Sequence, residues 1–156
     1  MSNVLTPAQL QEMFEGNRRL TIRTVEAFSE QDLFGYKPAE ALRPFADMIK
    51  ELLGMELAYV RGTATGEWAY TSAYPEVNTK QGLLDACKAV AAQASEWWPK
   101  ITAERLLNVE EDGLFGGPQS NLNRLIYCLE NEIHHRGQGF IYLRMLGTEP
   151  PAFYER

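Results

Sequence analysis

Apolar positions recur every three or four residues along four long stretches of this chain, which is the spacing that predicts amphipathic helices. The first stretch begins at Thr6, which can cap a helix, and Gln9, which can complete a capping box. No stretch shows a convincing strand pattern, so we expect an all-α protein, an antiparallel four-helix bundle. The predicted helices cover about residues 7–28, 44–61, a stretch that begins at Asn78 and ends or kinks at Pro99, and 121–146.

The segments between the predicted helices contain the residues that interrupt helices. Residues 33–42 include a glycine and a proline and are predicted to form a loop. The connection after the second helix is rich in aromatic residues such as Trp68 and Tyr70, and we expect it to fold back over the bundle. Residues 102–118 are predicted to be irregular. Because no repeat, low-complexity tract or linker separates these segments, we expect one domain over residues 1–156.

Composition narrows the class of protein. The chain has 156 residues and a net charge of −6. It lacks the clustered Lys and Arg that bind phosphates, so we expect no nucleic-acid partner. Cys87 and Cys128 lie inside predicted helices and form no CxxC pair, which predicts reduced core residues and a cytoplasmic location. We see no secretory leader and no apolar run of about 18 residues, so we expect no membrane span.

The fourth predicted helix carries the one chemically suggestive patch, residues 131–138. At helical spacing, His135 shares a face with Asn131, Gln138 and Tyr142. Helical bundles form metal sites from inward side chains of this kind on facing helices. A lone inward histidine beside amide side chains is also typical of a hydrogen-bonded core residue. The residues alone leave both interpretations open.

The inward stripe of the first predicted helix becomes polar at Asn17, Thr21 and Thr24. One interpretation is that the stripe becomes polar because this part of the helix lies near a solvent-exposed end of the bundle. The other is that these residues border a cavity. On the second interpretation we expect Asn17 to approach the pocket formed by the fourth helix.

A second apolar stripe lies on the opposite side of the fourth predicted helix. A helix that is apolar on two sides is buried on two sides. One side faces the core, and the other predicts a homodimer interface in which Gly137 lets a second backbone approach. The alternative is that the aromatic connection covers this stripe. The stripe consists of Ile126, Leu129, Ile133 and Phe140.

The sequence Glu132-Ile133-His134-His135-Arg136-Gly137-Gln138, followed by Tyr142-Leu143-Arg144-Met145-Leu146-Gly147, resembles the last-helix signature of the DinB-like superfamily, the YfiT-type bundles. The order of the predicted elements matches as well. The resemblance implies an antiparallel four-helix bundle, usually dimeric. It also implies a divalent metal held by three histidines, one on helix two and two at i and i+4 on helix four. Characterised relatives include transferases and isomerases that use low-molecular-weight thiols.

The resemblance places the three metal-ligand positions at Glu51, Asn131 and His135, so this chain keeps one of the three histidines. Two interpretations follow. In one, the three side chains still hold a metal, and their harder oxygen ligands shift the preference from zinc or nickel toward manganese or magnesium. In the other, the metal site is lost and the pocket is a polar cavity.

The second helix offers two acids for this pocket. Glu56 lies within the apolar stripe, whereas Glu51 lies at its edge, so the residues alone favour Glu56 as the more buried carboxylate. A buried carboxylate needs a partner, and we expect Arg124 or His135 to serve. The resemblance instead favours Glu51 as the ligand. We therefore predict Glu51 as the ligand and Glu56 as a supporting residue of the pocket.

Two functions are compatible with these residues. The first is a metal-dependent thiol transferase or hydrolase, in which the metal makes a bound thiol or water nucleophilic. Gln138 and Tyr142 would then orient the substrate, and Glu51 or Glu132 would move protons. The second is a non-catalytic small-molecule-binding or stress-response bundle that has lost the metal. We favour the enzyme slightly, and the sequence does not decide whether the chain is one.

Overall fold

The computed structural model describes residues 5–111 and 117–156, and most of these residues are helical. Four long helices form the bundle: α3 packs against α4 and α6, and α1 packs against the same two helices. This arrangement confirms the predicted all-α class. The elements are α1 (Pro7–Ala27), α2 (Glu30–Gly35), α3 (Phe45–Thr65), α4 (Lys80–Trp97), a 3₁₀ turn (Trp98–Lys100), α5 (Ala103–Leu107), β1 (Val109–Glu110), β2 (Gln119–Ser120) and α6 (Asn121–Met145).

The helix ends follow from the residues that occupy them. Thr6 Oγ1 accepts a hydrogen bond from the backbone N–H of Gln9, and the Gln9 side chain accepts one from the backbone N–H of Thr6. The predicted capping box is therefore present. Gly66 follows α3 in the left-handed conformation with φ of 80°. A glycine adopts this conformation without steric cost, which stops the helix there.

Four short elements and one helix end differ from the sequence prediction. α2 forms inside the predicted loop because Ser29 caps it, and α5 forms inside the predicted irregular stretch because Thr102 caps it. These helices are too short for hydrophobic periodicity to reveal. β1 also forms inside this stretch and pairs in antiparallel fashion with β2, which directly follows the stretch; residues 112–116, between the two strands, lie outside the described residues. α3 also continues to Thr65, beyond the predicted end at residue 61.

The aromatic connection folds back onto the bundle, as predicted. Trp68 packs edge-on against Tyr59, with ring centroids 6.0 Å apart. Gly62 makes this approach possible, because a Cβ atom at that position would lie 2.1 Å from the Trp68 ring. Any larger residue at position 62 would push the indole ring out of its place against α3.

The core also contains a buried polar network between α1, α3 and α6. Arg18 donates to Glu132 through Nε at 3.1 Å and to Glu56 through Nη2 at 2.5 Å. Glu132 also accepts a hydrogen bond from Thr21 at 2.6 Å. The expected partner of Glu56 was therefore wrong, because Arg18 pairs with it rather than Arg124 or His135. Burial raises the pKa of Glu56, and the Arg18 guanidinium opposes that effect.

The second stripe on α6 is only partly exposed. Ile126 is 36% exposed and Ile133 is 44% exposed, so the aromatic connection does not cover them. Phe140 is half-buried. Leu129 is buried in the core, so its assignment to the outer stripe was wrong. A Cβ atom added to Gly137 would meet nothing within 4 Å, which leaves this part of the helix surface open.

No helix among the residues that the structure describes combines the length and the apolar character needed to cross a membrane.

Candidate functional site

The structure brings together the three side chains that the resemblance places at the metal-ligand positions. Glu51 projects from α3, and Asn131 and His135 lie one turn apart on α6. Nε2 of His135 lies 3.1 Å from Oε1 of Glu51 and 3.3 Å from Nδ2 of Asn131. The same Asn131 nitrogen lies 3.4 Å from Oε1 of Glu51. The three polar groups therefore converge on one point between the two helices.

The protonation states at this point follow from its surroundings. His135 is 6% exposed, and burial lowers the pKa of its imidazole. Burial on its own would raise the pKa of Glu51, but hydrogen bonds from His135 and Arg43 outweigh burial and hold that pKa below its usual value. Near neutral pH the site therefore combines an ionised carboxylate with a neutral imidazole, whose Nε2 atom faces Glu51.

Arg43 completes the site, and the sequence analysis missed it. Its Nη2 atom lies 2.5 Å from Oε2 of Glu51 and 3.5 Å from Nε2 of His135. The Tyr142 hydroxyl donates a hydrogen bond to the backbone oxygen of Arg43 at 3.2 Å and so anchors the segment that carries the guanidinium. Arg43 precedes the first turn of α3, where helical periodicity gives no information about its direction.

An open cavity of about 320 Å³ adjoins the Glu51 side of this cluster. Arg43 and Lys50 contribute positive charge to its walls, and Asp47 and Glu51 contribute negative charge. Tyr70, from the aromatic connection, and Ser72 add hydroxyl groups. A small polar molecule in this cavity would therefore lie beside the Glu51 carboxylate and the Arg43 guanidinium.

Three parallel rows on α6 explain which predicted residues reach the site. Asn131 and His135 form the row that faces α3. The next row, Glu132 and Arg136, faces α1, because consecutive helical residues differ by about 100° in direction. The third row, residues 134 and 138, lies at the surface, where the Gln138 amide contacts Nε2 of His134 at 2.8 Å.

These rows correct several predicted positions. Asn17 does not approach His135: its side-chain oxygen accepts a hydrogen bond from Arg136 at 2.8 Å, inside the α1–α6 interface. Gln138 points along the surface row and does not line the pocket. Glu56 and Glu132 belong to the buried network around Arg18, and burial there removes Glu132 as a candidate for proton transfer at the site.

The donor set suits a divalent cation of the harder kind. Ligand bonds of about 2.0–2.2 Å place neighbouring donor atoms about 3.0–3.5 Å apart, and the three separations in this cluster fall in that range. Oδ1 of Asn131 is buried without a hydrogen-bond partner, and a rotation of the amide exchanges it with Nδ2. The described residues contain no cluster of three His, Cys, Asp or Glu side chains that could hold a metal. Any ligand set here therefore depends on the Asn131 amide.

The fold and the site define a helical bundle with a carboxylate, an amide and an imidazole placed between two of its helices. The family model described as "DinB family" matches residues 1–156, and the chain belongs to the DinB family.

Relatives extend over nearly the whole chain. The uncharacterized protein YjoA of Bacillus subtilis (strain 168) is 26% identical over 151 residues, which cover 95% of this chain and 96% of YjoA. The crystal structure of the DinB-like YjoA from Bacillus subtilis superposes with a TM-score of 0.74, covering 95% of this chain and 98% of that one. A DinB-like protein from Bacillus cereus ATCC 10987, 20% identical, gives a TM-score of 0.74 over 96% of this chain and 98% of that one. The second similarity shows the fold alone.

Proposed function

We propose that the protein is a divalent-metal-dependent enzyme of the thiol transferase or hydrolase type, in which Glu51, Asn131 and His135 hold the metal. The observation that supports this proposal is the convergence of these three side chains within 3.1–3.4 Å of one another. Two oxygen ligands and one imidazole nitrogen favour manganese over zinc or nickel. The cosubstrate of the transferase would be a low-molecular-weight thiol.

A divalent metal at this point would lower the pKa of a bound thiol or water, so that its anion becomes available as a nucleophile near neutral pH. The residues of the chain have separate tasks around it. Glu51 would supply the negative charge that attracts the cation, and the neutral imidazole of His135 would supply the Nε2 lone pair in the tautomer that is protonated at Nδ1. Tyr142 holds the backbone of Arg43 in place, and the cavity beside Arg43 and Lys50 receives the substrate.

A second candidate is a non-catalytic small-molecule-binding or stress-response bundle that has lost the metal. The pairing of Arg43 with Glu51 favours this alternative, because a guanidinium 2.5 Å from Oε2 already neutralises the carboxylate. In such a protein the cavity would bind its ligand through Arg43 and the neighbouring hydroxyl groups, without turnover.

The cellular location that we propose is the cytoplasm. Cys87 and Cys128 are both free and buried. Burial raises the pKa of the Cys87 thiol to about 11, which keeps it protonated and unreactive. Two unpaired thiols of this kind suit a reducing compartment.

Elemental analysis of the protein purified without a histidine tag, followed by thermal unfolding with and without manganese, separates the two candidates. A metal that binds only the folded state raises the melting temperature through linkage. We expect manganese to raise it in the wild type and in His134→Ala, whose histidine is at the surface, but not in His135→Ala. No metal in the purified protein and no shift in the wild type would favour the binding protein.

A further inference from the structure

The guanidinium of Arg43 occupies the position from which a cation would contact the outer oxygen of Glu51. Its Nη2 atom lies 2.5 Å from Oε2, while the other oxygen, Oε1, faces His135 at 3.1 Å. The carboxylate is therefore shared between an imidazole on its inner side and a permanently charged group on its outer side. The Arg43 and Glu51 side chains remain 45% and 31% exposed, so neither is locked in place by packing.

A divalent cation and the Arg43 guanidinium compete for the same carboxylate. Two like charges separated by a few ångströms repel each other even in a solvated site, and a dication doubles the effect. Arg43 also lies beside a second ligand atom, because its Nη2 is 3.5 Å from Nε2 of His135. This Nε2 atom is the nitrogen that faces Glu51 and Asn131. The guanidinium must leave before a metal can take this position.

The backbone of Arg43 is held by a contact that does not involve its side chain. Its carbonyl oxygen accepts the hydrogen bond from buried Tyr142. The displaced side chain would then extend along the wall of the adjoining cavity, whose other cation, Lys50, is already occupied with the backbone oxygen of Pro75 at 3.1 Å. A released guanidinium in this cavity would have one remaining protein carboxylate nearby, that of Asp47, and an anionic ligand in the cavity would pair with it directly.

We propose that Arg43 exchanges partners: it pairs with Glu51 in the metal-free protein and with a carboxylate group of the substrate once a divalent metal has taken Glu51. This inference rests on the proposed metal site and adds a substrate class to it, namely small molecules that carry a carboxylate. Metal and carboxylate ligand then bind cooperatively, each strengthening the other by the same factor.

The metal half of the exchange is tested by calorimetric titration of manganese into the wild type, Arg43→Gln and the control Lys50→Gln. Both variants remove one positive charge from the same cavity, but only Arg43 contacts Glu51. Removing the competing cation should tighten manganese binding by about tenfold, whereas Lys50→Gln should change it by about twofold at most.

The second part of the proposal, that the released Arg43 binds a carboxylate ligand, is tested by repeating the titrations in sodium acetate and in sodium chloride of equal ionic strength. Acetate should tighten manganese binding to the wild type, and Arg43→Gln should lose that effect. An acetate effect that persists in Arg43→Gln would mean that acetate acts without Arg43 and would overturn the substrate class. Equal manganese affinity in the wild type and Arg43→Gln would overturn the exchange while leaving the metal site intact. No manganese binding by any of the three proteins would overturn the metal site and the exchange together.

Discussion

Nε2 of His135 on α6 lies 3.1 Å from Oε1 of Glu51 on α3, although 84 residues separate them in the sequence. The contact exists because α3 and α6 pack closely over their length. One cause of that close packing is Gly139, where a Cβ atom would lie 2.5 Å from the ring of Phe45 at the start of α3. Phe45 is itself fully buried and stacked on Phe28, so it has no room to retreat.

Gly139→Ala should therefore destabilise the protein despite the better helix propensity of alanine. Overpacking of this kind costs about 1–3 kcal/mol. Gly16→Ala, in the middle of α1, is the control, because the nearest atom to its Cβ would lie at 3.4 Å, an ordinary van der Waals distance. That control should gain up to about 1 kcal/mol from helix propensity. Urea unfolding measures both, and equal effects of the two substitutions would refute the steric argument.

Arg18→Met should be among the most destabilising substitutions in the chain. It leaves the buried carboxylates of Glu56 and Glu132 without the cation that contacts both. Removing one partner of a buried ion pair costs about 3–5 kcal/mol. Arg19→Met, at an exposed neighbouring position, should stay within about 0.5 kcal/mol of the wild type in the same denaturant experiment. A loss at Arg18 no larger than at Arg19 would show that the network contributes little.

The protein should be a homodimer that uses the open face of α6 around Ile133 and Gly137. Burying exposed apolar side chains such as Ile126 and Ile133 stabilises association by roughly 25 cal/mol per Å², before the cost of bringing two chains together. Ile133→Glu should give monomers in light scattering. Leu107→Glu, which changes an exposed leucine on α5, should leave the dimer intact. A monomeric wild type would contradict this prediction at once.

The metal-free protein should lose stability as the pH falls through the range in which His135 titrates. The folded-state pKa of His135 lies below its ordinary value of 6.5, so the unfolded chain takes up the proton first and acid favours unfolding. The depressed pKa of Glu51 acts in the same direction at lower pH. His135→Gln should therefore show a flatter decline of melting temperature below about pH 6.5 than the wild type. The surface variant His134→Gln is the control and should follow the wild-type curve, and a His135→Gln curve that does the same would contradict the assignment.

Hydrophobic periodicity was sufficient to predict the bundle, because each of the four long helices buries a continuous stripe. It was not sufficient to place individual polar residues. On α6, neighbouring rows one residue apart face α3, α1 and solvent, and the sequence does not say which row meets which helix. Glu132 and Gln138 were misplaced for this reason.

Glu51 and Glu56 of α3 also show that hydrophobic periodicity does not identify the partners of polar residues. Glu56 looked like the more buried carboxylate, and it is, with 5% exposure. Its partner Arg18 comes from a helix whose polar positions gave no sign of an ion pair. Arg43 was missed because it lies before the first turn of α3, where its direction depends on the Tyr142 hydrogen bond and on Glu51. Contacts that depend on tertiary packing leave no periodic signal in the sequence.

The most direct test of the site is to restore the two histidines that the DinB-like pattern would place at residues 51 and 131. Asn131→His completes a pair of imidazoles one turn apart, and Glu51→His adds a third from the facing helix, without a change of backbone. Calorimetric titration of zinc and nickel into the wild type, this double variant and the double variant that also carries His135→Ala measures the result. If the three side chains converge as the structure has them, the double variant binds zinc or nickel at least about a hundredfold more tightly than the wild type, and the added His135→Ala removes most of that gain. No gain in the double variant would mean that positions 51, 131 and 135 do not form one site.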